Sequence, residues 1–110
     1  MPAGAEDDAR DFYSGVLGLQ EVVKPADLQS RGGCWFRSSG VEVHLGVDPA
    51  FHPATKAHPA FIVDSLDQLG ERLGDAGYPI DVDVQLGGFK RFHSADPFGN
   101  RLEFLERSAG

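Results

Sequence analysis

Only one cysteine, Cys34, stands in this chain of 110 residues. A lone thiol excludes an internal disulfide, and a chain of this length buries a core without one. Cys34 therefore reads as a small buried hydrophobe in a reducing, cytoplasmic protein. Long apolar runs are lacking too. None approaches the roughly 20 residues of a membrane-spanning helix, and no basic N-terminal stretch leads into an apolar one. Positive charge is scarce: Lys and Arg number 10 against 17 Asp and Glu, a formal charge of -7. Nucleic-acid partners need a basic face, so this balance argues against them. It suits a protein that meets a small ligand and does not say which one.

What is present is concentrated at the C-terminal end. Asp96-Pro97-Phe98-Gly99-Asn100 reads as a turn, and Arg101-Leu102-Glu103-Phe104-Leu105 as the strand that leaves it. A carboxylate inside an apolar strand is costly to bury unless it is paired or holds a cation. Glu103 is accordingly the first residue to suspect of chemistry. A plainer reading pairs it with Arg101, two residues away on the same strand face.

The rest of the chain reads as short elements. Ala9, Phe12, Tyr13, Val16 and Leu17 form an apolar stripe at helical spacing over residues 6–16, with Asp7 and Asp8 in the first turn and Gly15 or Gly18 at the end. Strands are expected at 19–24, stopped by Pro25, and at 33–37 and 41–46, joined by Ser38-Ser39-Gly40. Residues 48–57, with Pro49 and Pro53, read as a linker. A strand over 58–63 follows. A second helix starts at Asp64 or Ser65, where Ser65 and Gln68 resemble a capping box; Leu66, Leu69, Leu73 and Ala76 form its buried stripe and Gly77 caps it. Strands at 80–84, 90–95 and 101–105 complete the chain.

The two halves resemble one another. Laying Gly40–Leu45 on Gly99–Phe104 puts His44 on Glu103, and the same offset puts Gly18 on Gly77. The second half is strand-helix-strand-strand-strand. The first is the same with its opening strand absent, and the counterpart of His58 falls two positions before Met1.

With Phe12-Tyr13-Ser14-Gly15-Val16-Leu17-Gly18-Leu19, His58-Pro59-Ala60-Phe61-Ile62-Val63 and the closing Asp-Pro-Phe-Gly-Asn-Arg-Leu-Glu-Phe, the chain resembles the vicinal oxygen chelate superfamily. That group includes glyoxalase I, fosfomycin and bleomycin resistance proteins and extradiol dioxygenases. The resemblance implies an α+β fold in which paired βαβββ modules form an open, cup-shaped mixed sheet: module one at 1–47, the linker at 48–57 and module two at 58–110. The first strand of module one has no counterpart in the sequence. Either the chain begins at an internal methionine, or a partner supplies the strand, or the site is incomplete.

Carried over position by position, the resemblance implies a metal set of His44, His58 and Glu103, with Glu42 the other candidate on the His44 strand. Such a set suits Zn²⁺, Fe²⁺, Mn²⁺ or Ni²⁺. A divalent ion there holds neighbouring oxygens of a substrate, while a carboxylate such as Glu42 moves the proton. Catalytic roles thus fall to Glu42 and Glu103. His44 and Glu42 share a strand face and are alternatively just hydrogen-bonded to each other. His52 and His93 have no spacing argument and are taken as non-ligands. Trp35 and Phe92 are candidates for contacting a small-molecule substrate or drug; packing in the core is the other reading of these aromatics. The implied activity is that of a metal-dependent lyase, isomerase or dioxygenase, with a metal-free, drug-sequestering binding protein of the bleomycin-resistance type as the alternative; a homodimer is expected in either case.

Overall fold

The computed structural model describes residues 1–108. The chain is α+β and divides into two compact units, Met1–His52 and Pro53–Gly110. Each unit holds its own open sheet.

In the first unit the predicted helix is one continuous element with a change of pitch. It starts as α1, Glu6–Arg10, and passes into a π turn over Asp11–Val16, where the Leu17 N–H donates to the Phe12 carbonyl. Of the expected stripe, Ala9, Phe12 and Tyr13 are buried, and Val16 and Leu17 are half-buried. Strands β1 (Gln20–Val22), β2 (Cys34–Ser38) and β3 (Val41–Leu45) form an antiparallel meander in that order. Between β1 and β2, Ala26–Arg31 makes a 3-10 turn at a place where the sequence pattern predicts no element. Cys34 and Phe36 are buried from β2, and the Phe36 ring lies 5.4 Å from that of Tyr13. Cys34 packs as the small hydrophobe expected.

No strand precedes α1 among the described residues. Beside the end of β3, the Met1 ammonium donates to the Gly46 carbonyl (2.7 Å) and the Asp48 N–H donates to the Met1 carbonyl (2.9 Å).

The second unit carries β4 (Ala60–Ile62), α2 (Leu66–Asp75), β5 (Asp81–Val82), β6 (Phe89–Ala95) and β7 (Arg101–Arg107). The strand order is β4-β7-β6-β5; β4 runs parallel to β7, and the other pairs are antiparallel. Parallel neighbours need a crossover, which α2 supplies. The Ser65 Oγ accepts the Gln68 N–H at 3.2 Å, as the capping pattern predicts. Leu66, Leu69 and Leu73 are buried, each stabilising by about 1.5–3 kcal/mol. Ala76, expected in that stripe, is exposed because the helix ends at it. Gly77 follows with φ of 87°, a left-handed cap that lets the Tyr78 N–H reach the Leu73 carbonyl.

Strand alternation sorts the sheet into two faces. Phe92, Leu102 and Phe104 belong to the core face, where the rings of Phe92 and Phe104 are 5.7 Å apart. Arg91, His93, Arg101 and Glu103 belong to the other.

Candidate metal centre

Glu103 is held in place by the turn before it. The Asp96 carboxylate is buried and accepts the backbone N–H groups of Phe98 and Asn100, each at 2.9 Å, and the Asn100 side-chain amide at 2.9 Å. Gly99 takes φ of 85° inside this loop, a conformation that costs other residues strain. The turn sets the register of the β6–β7 hairpin: Ala95 opposes Arg101, and His93 opposes Glu103. On the other side of β7, Ala60 opposes Glu103, whose N–H donates to the Pro59 carbonyl. This parallel pairing brings His58, just ahead of β4, to the same carboxylate.

The two imidazoles converge on one oxygen. His58 Nε2 lies 2.9 Å and His93 Nε2 3.2 Å from Glu103 Oε1. All three donor atoms lie within 4.8 Å of one another. The side chains of Glu103 and His93 are 8% and 6% exposed, that of His58 23%. Arg91 lies 3.5 Å from the other oxygen, Glu103 Oε2.

Each ring is also held at its far nitrogen. His58 Nδ1 is 2.8 Å from the Lys56 carbonyl, and His93 Nδ1 is 3.6 Å from Asp83 Oδ2. A carbonyl only accepts, so His58 Nδ1 carries a hydrogen. A neutral imidazole then presents a bare lone pair at Nε2, facing a carboxylate. Two acceptors in that position call for a positive charge between them, either a proton or a metal ion. Donors about 2.1 Å from a common ion stand roughly 3.0–3.4 Å apart in octahedral or tetrahedral geometry; the His93 separation of 3.2 Å falls in this range and the His58 separation of 2.9 Å just below it. His58, His93 and Glu103 thus fit a divalent cation, with Lys56 and Asp83 orienting the imidazoles from behind.

Burial pushes the Glu103 carboxyl up. The hydrogen bond with His58, the charges of Arg91 and His93 and the bond with His93 outweigh it, leaving the group below the ordinary carboxylate range. Glu103 is the anion of this cluster.

Of the residues predicted from sequence, His58 and Glu103 are brought together. Glu42 and His44 are brought together as well, on β3 of the first unit. His44 Nε2 lies 2.6 Å from Glu42 Oε2, and Arg37 Nε donates to Glu42 Oε1 at 2.8 Å. The bonds with His44 and then Arg37 hold the Glu42 carboxyl below its usual range. Trp35 stacks on His44, with ring centroids 3.7 Å apart and planes 3° from parallel. Phe92 packs in the core, 5% exposed, on the sheet face opposite His93. The arginine paired with Glu103 is Arg91 rather than Arg101.

His93 is the member that sequence reasoning passes over. Its signal lies in the hairpin: with Ala95 and Arg101 as the first pair beyond the turn, His93 and Glu103 are the next pair on the same face. A search for spacing within single strands misses a pair made by register.

The profile of the glyoxalase/bleomycin resistance protein/dioxygenase superfamily matches residues 3–104. The chain belongs to this superfamily. A glyoxalase family protein from Bacillus anthracis shares 42% identity at a TM-score of 0.93, over 98% of this chain and 88% of that one. Two others share the fold. A lactoylglutathione lyase from Agrobacterium tumefaciens has 21% identity and a TM-score of 0.71, over 96% and 88% of the two chains. An antibiotic binding protein from a Streptomyces species has 20% and 0.72, over 98% and 91%. No functionally curated protein matches the chain.

Proposed function

We propose that this chain is a metal-dependent enzyme of the glyoxalase kind, a lyase, isomerase or dioxygenase acting on a small oxygen-rich substrate. The observation that carries this reading is the convergence of His58 Nε2 and His93 Nε2 on Glu103 Oε1, with the far nitrogen of each ring facing an acceptor. A bound Zn²⁺, Fe²⁺, Mn²⁺ or Ni²⁺ supplies Lewis acidity, drawing negative charge onto neighbouring substrate oxygens.

The protein's own residues do the rest. His58, His93 and Glu103 hold the ion, so His93 takes the third place for which the sequence pattern nominates His44. Arg91 fixes the carboxylate from its other oxygen. Lys56 and Asp83 keep both Nε2 lone pairs aimed inward. Glu42 is proposed to move a proton, with His44 as the group it exchanges with. The hydrogen bonds with His44 and Arg37 favour its ionised form, the one that accepts a proton.

A second reading, a metal-free binder of aromatic drugs, is favoured by the stack of half-buried Trp35 on exposed His44, a flat platform for a ring. The buried, free Cys34 accords with a cytoplasmic setting. The outer edge of β3 has no strand neighbour among the described residues, which favours a homodimer in which a second copy pairs there.

Metal analysis of protein purified without chelators separates the readings. The enzyme reading expects close to one equivalent after incubation with each ion; occupancy under about 0.2 equivalents for all four sinks it and leaves the binder. His58→Ala and His93→Ala should each weaken the site about 100-fold or more. Wild-type affinity in His93→Ala would remove His93 from the set.

A further inference from the structure

Beside the cluster, on the same face of the sheet, lies an open cavity of about 410 Å³. Ala95 leaves room for it, because its methyl stands where the neighbouring positions carry His93 and Arg101. His93 forms the edge toward Glu103. Arg101 and Thr55 line one part, and Asp81 and Asp83 another. Asp81 opposes His93 across β5–β6 while Arg101 opposes Ala95 across β6–β7, so the acids and the arginine stand on opposite sides of β6.

The charged groups differ in what they already do. Asp83 is engaged by Arg91 and His93, at 3.5 and 3.6 Å. Arg101 is half-buried; its charge is one of those that favour the ionised form of Asp83, but among the described residues its guanidinium makes no hydrogen bond or ion pair. A guanidinium offers a planar fork of five N–H donors that matches a carboxylate or a similar oxyanion. Asp81 likewise has no ion pair, and a carboxylate takes hydroxyl donors.

A plain anion would satisfy Arg101 and be repelled by Asp81. A neutral polyol would satisfy Asp81 and leave the guanidinium unmatched. We propose that this cavity binds a small polyhydroxy acid, its acid group on Arg101 and its hydroxyls toward Asp81. The proposal rests on the metal reading above for the choice of hydroxyl over ammonium donors, since a hydroxy acid also brings neighbouring oxygens to the His93 edge.

The test uses the full chain, stripped of metal with EDTA, and follows backbone amide resonances during titration with D-gluconate. Saturable shifts are expected at Ser94, Ala95 and Arg101. Sorbitol, which has the hydroxyls without the acid, should bind at least about tenfold more weakly, as should acetate, which has the acid alone. Arg101→Gln should lose about tenfold or more in gluconate affinity and Asp81→Asn about threefold, while Arg101→Lys retains part of the binding. No saturable shift at those amides, equal binding of sorbitol, or wild-type affinity in Arg101→Gln overturns the proposal. Metal titration of the same samples is independent: metal bound without gluconate overturns the cavity assignment alone, and gluconate bound without metal overturns the metal reading alone.

Discussion

β3 and β7 occupy equivalent places in the two units, yet their surroundings differ. β7 lies between β4 and β6, and its run from Leu102 to Leu105 is buried throughout. β3 pairs with β2 alone, and its residues alternate between half-buried and exposed. Beside the end of β3, where β7 has a flanking strand, stand two hydrogen bonds of Met1. The consequence is visible in the two side chains that the duplication superposes: Glu103 is 8% exposed and His44 is 45% exposed. One flanking strand turns a polar side chain on a sheet surface into a buried, electrostatically committed one. It also delivers His58, so the same strand supplies both the low-dielectric setting and a donor.

The largest expected effect tests whether that setting builds a metal centre. Glu103→Ala should lower metal affinity about 100-fold or more, read by competition with a chromogenic chelator. His44→Ala should leave the affinity within about twofold. A comparable loss in His44→Ala would return that residue to the ligand set. Asp83→Asn sits between the two, with about a tenfold loss expected from a ring left less well oriented.

Next in size is the packing beneath each strand. Leu102→Ala removes a side chain at 2% exposure and should cost about 3 kcal/mol in urea unfolding. Its counterpart Val43→Ala, half-buried on β3, should cost about 1 kcal/mol. Equal costs would mean that the two strands are equally enclosed in solution.

The pH dependence is smaller. The folded protein holds Glu103 below the carboxylate's ordinary pKa, so the fold favours its ionised form. That stabilisation is fully present above about pH 4.5, the unfolded value, and is lost as pH falls through the folded one. Between pH 5 and 3 the urea midpoint of wild type should drop more steeply than that of Glu103→Gln; parallel curves would show that the carboxylate is not held this way. Smallest of all is Arg37→Ala on the exposed face of β3. Its ion pair with Glu42 is open to solvent, and Tm should move by about 1 °C or less.

The elements were legible to different degrees. Periodicity located α2 and its cap, because Leu66, Leu69 and Leu73 repeat at helical spacing between Ser65 and Gly77. The Asp96–Asn100 turn was equally plain, since Pro97, Gly99 and Asn100 each fill a conformational need. The 3-10 turn at Ala26–Arg31 had no apolar repeat to reveal it, for it buries no residue. The π turn has the sequence pattern of ordinary helix, because the apolar stripe does not record which carbonyl each N–H chooses. At the site, Glu103 stood out as a charge among apolar neighbours, and the family pattern added His58. Trp35 and Phe92 could not be told apart by type, although one is stacked on His44 and the other lies in the core.

By itself the sequence determined the α+β class, the duplicated strand order, the membership of the superfamily and the suspicion attached to Glu103. Composition, periodicity and turn chemistry are local properties that carry the fold class and the suspicion of Glu103; the duplication rests on laying one half on the other, and the superfamily on the resemblance of its motifs to a known family. Only the tertiary structure decided which groups meet. His93 joins His58 through the register of one hairpin and one parallel pair, and Arg91 rather than Arg101 takes the carboxylate. Strand register carries residues far apart in the chain to within a hydrogen bond of each other, and no single segment contains that information.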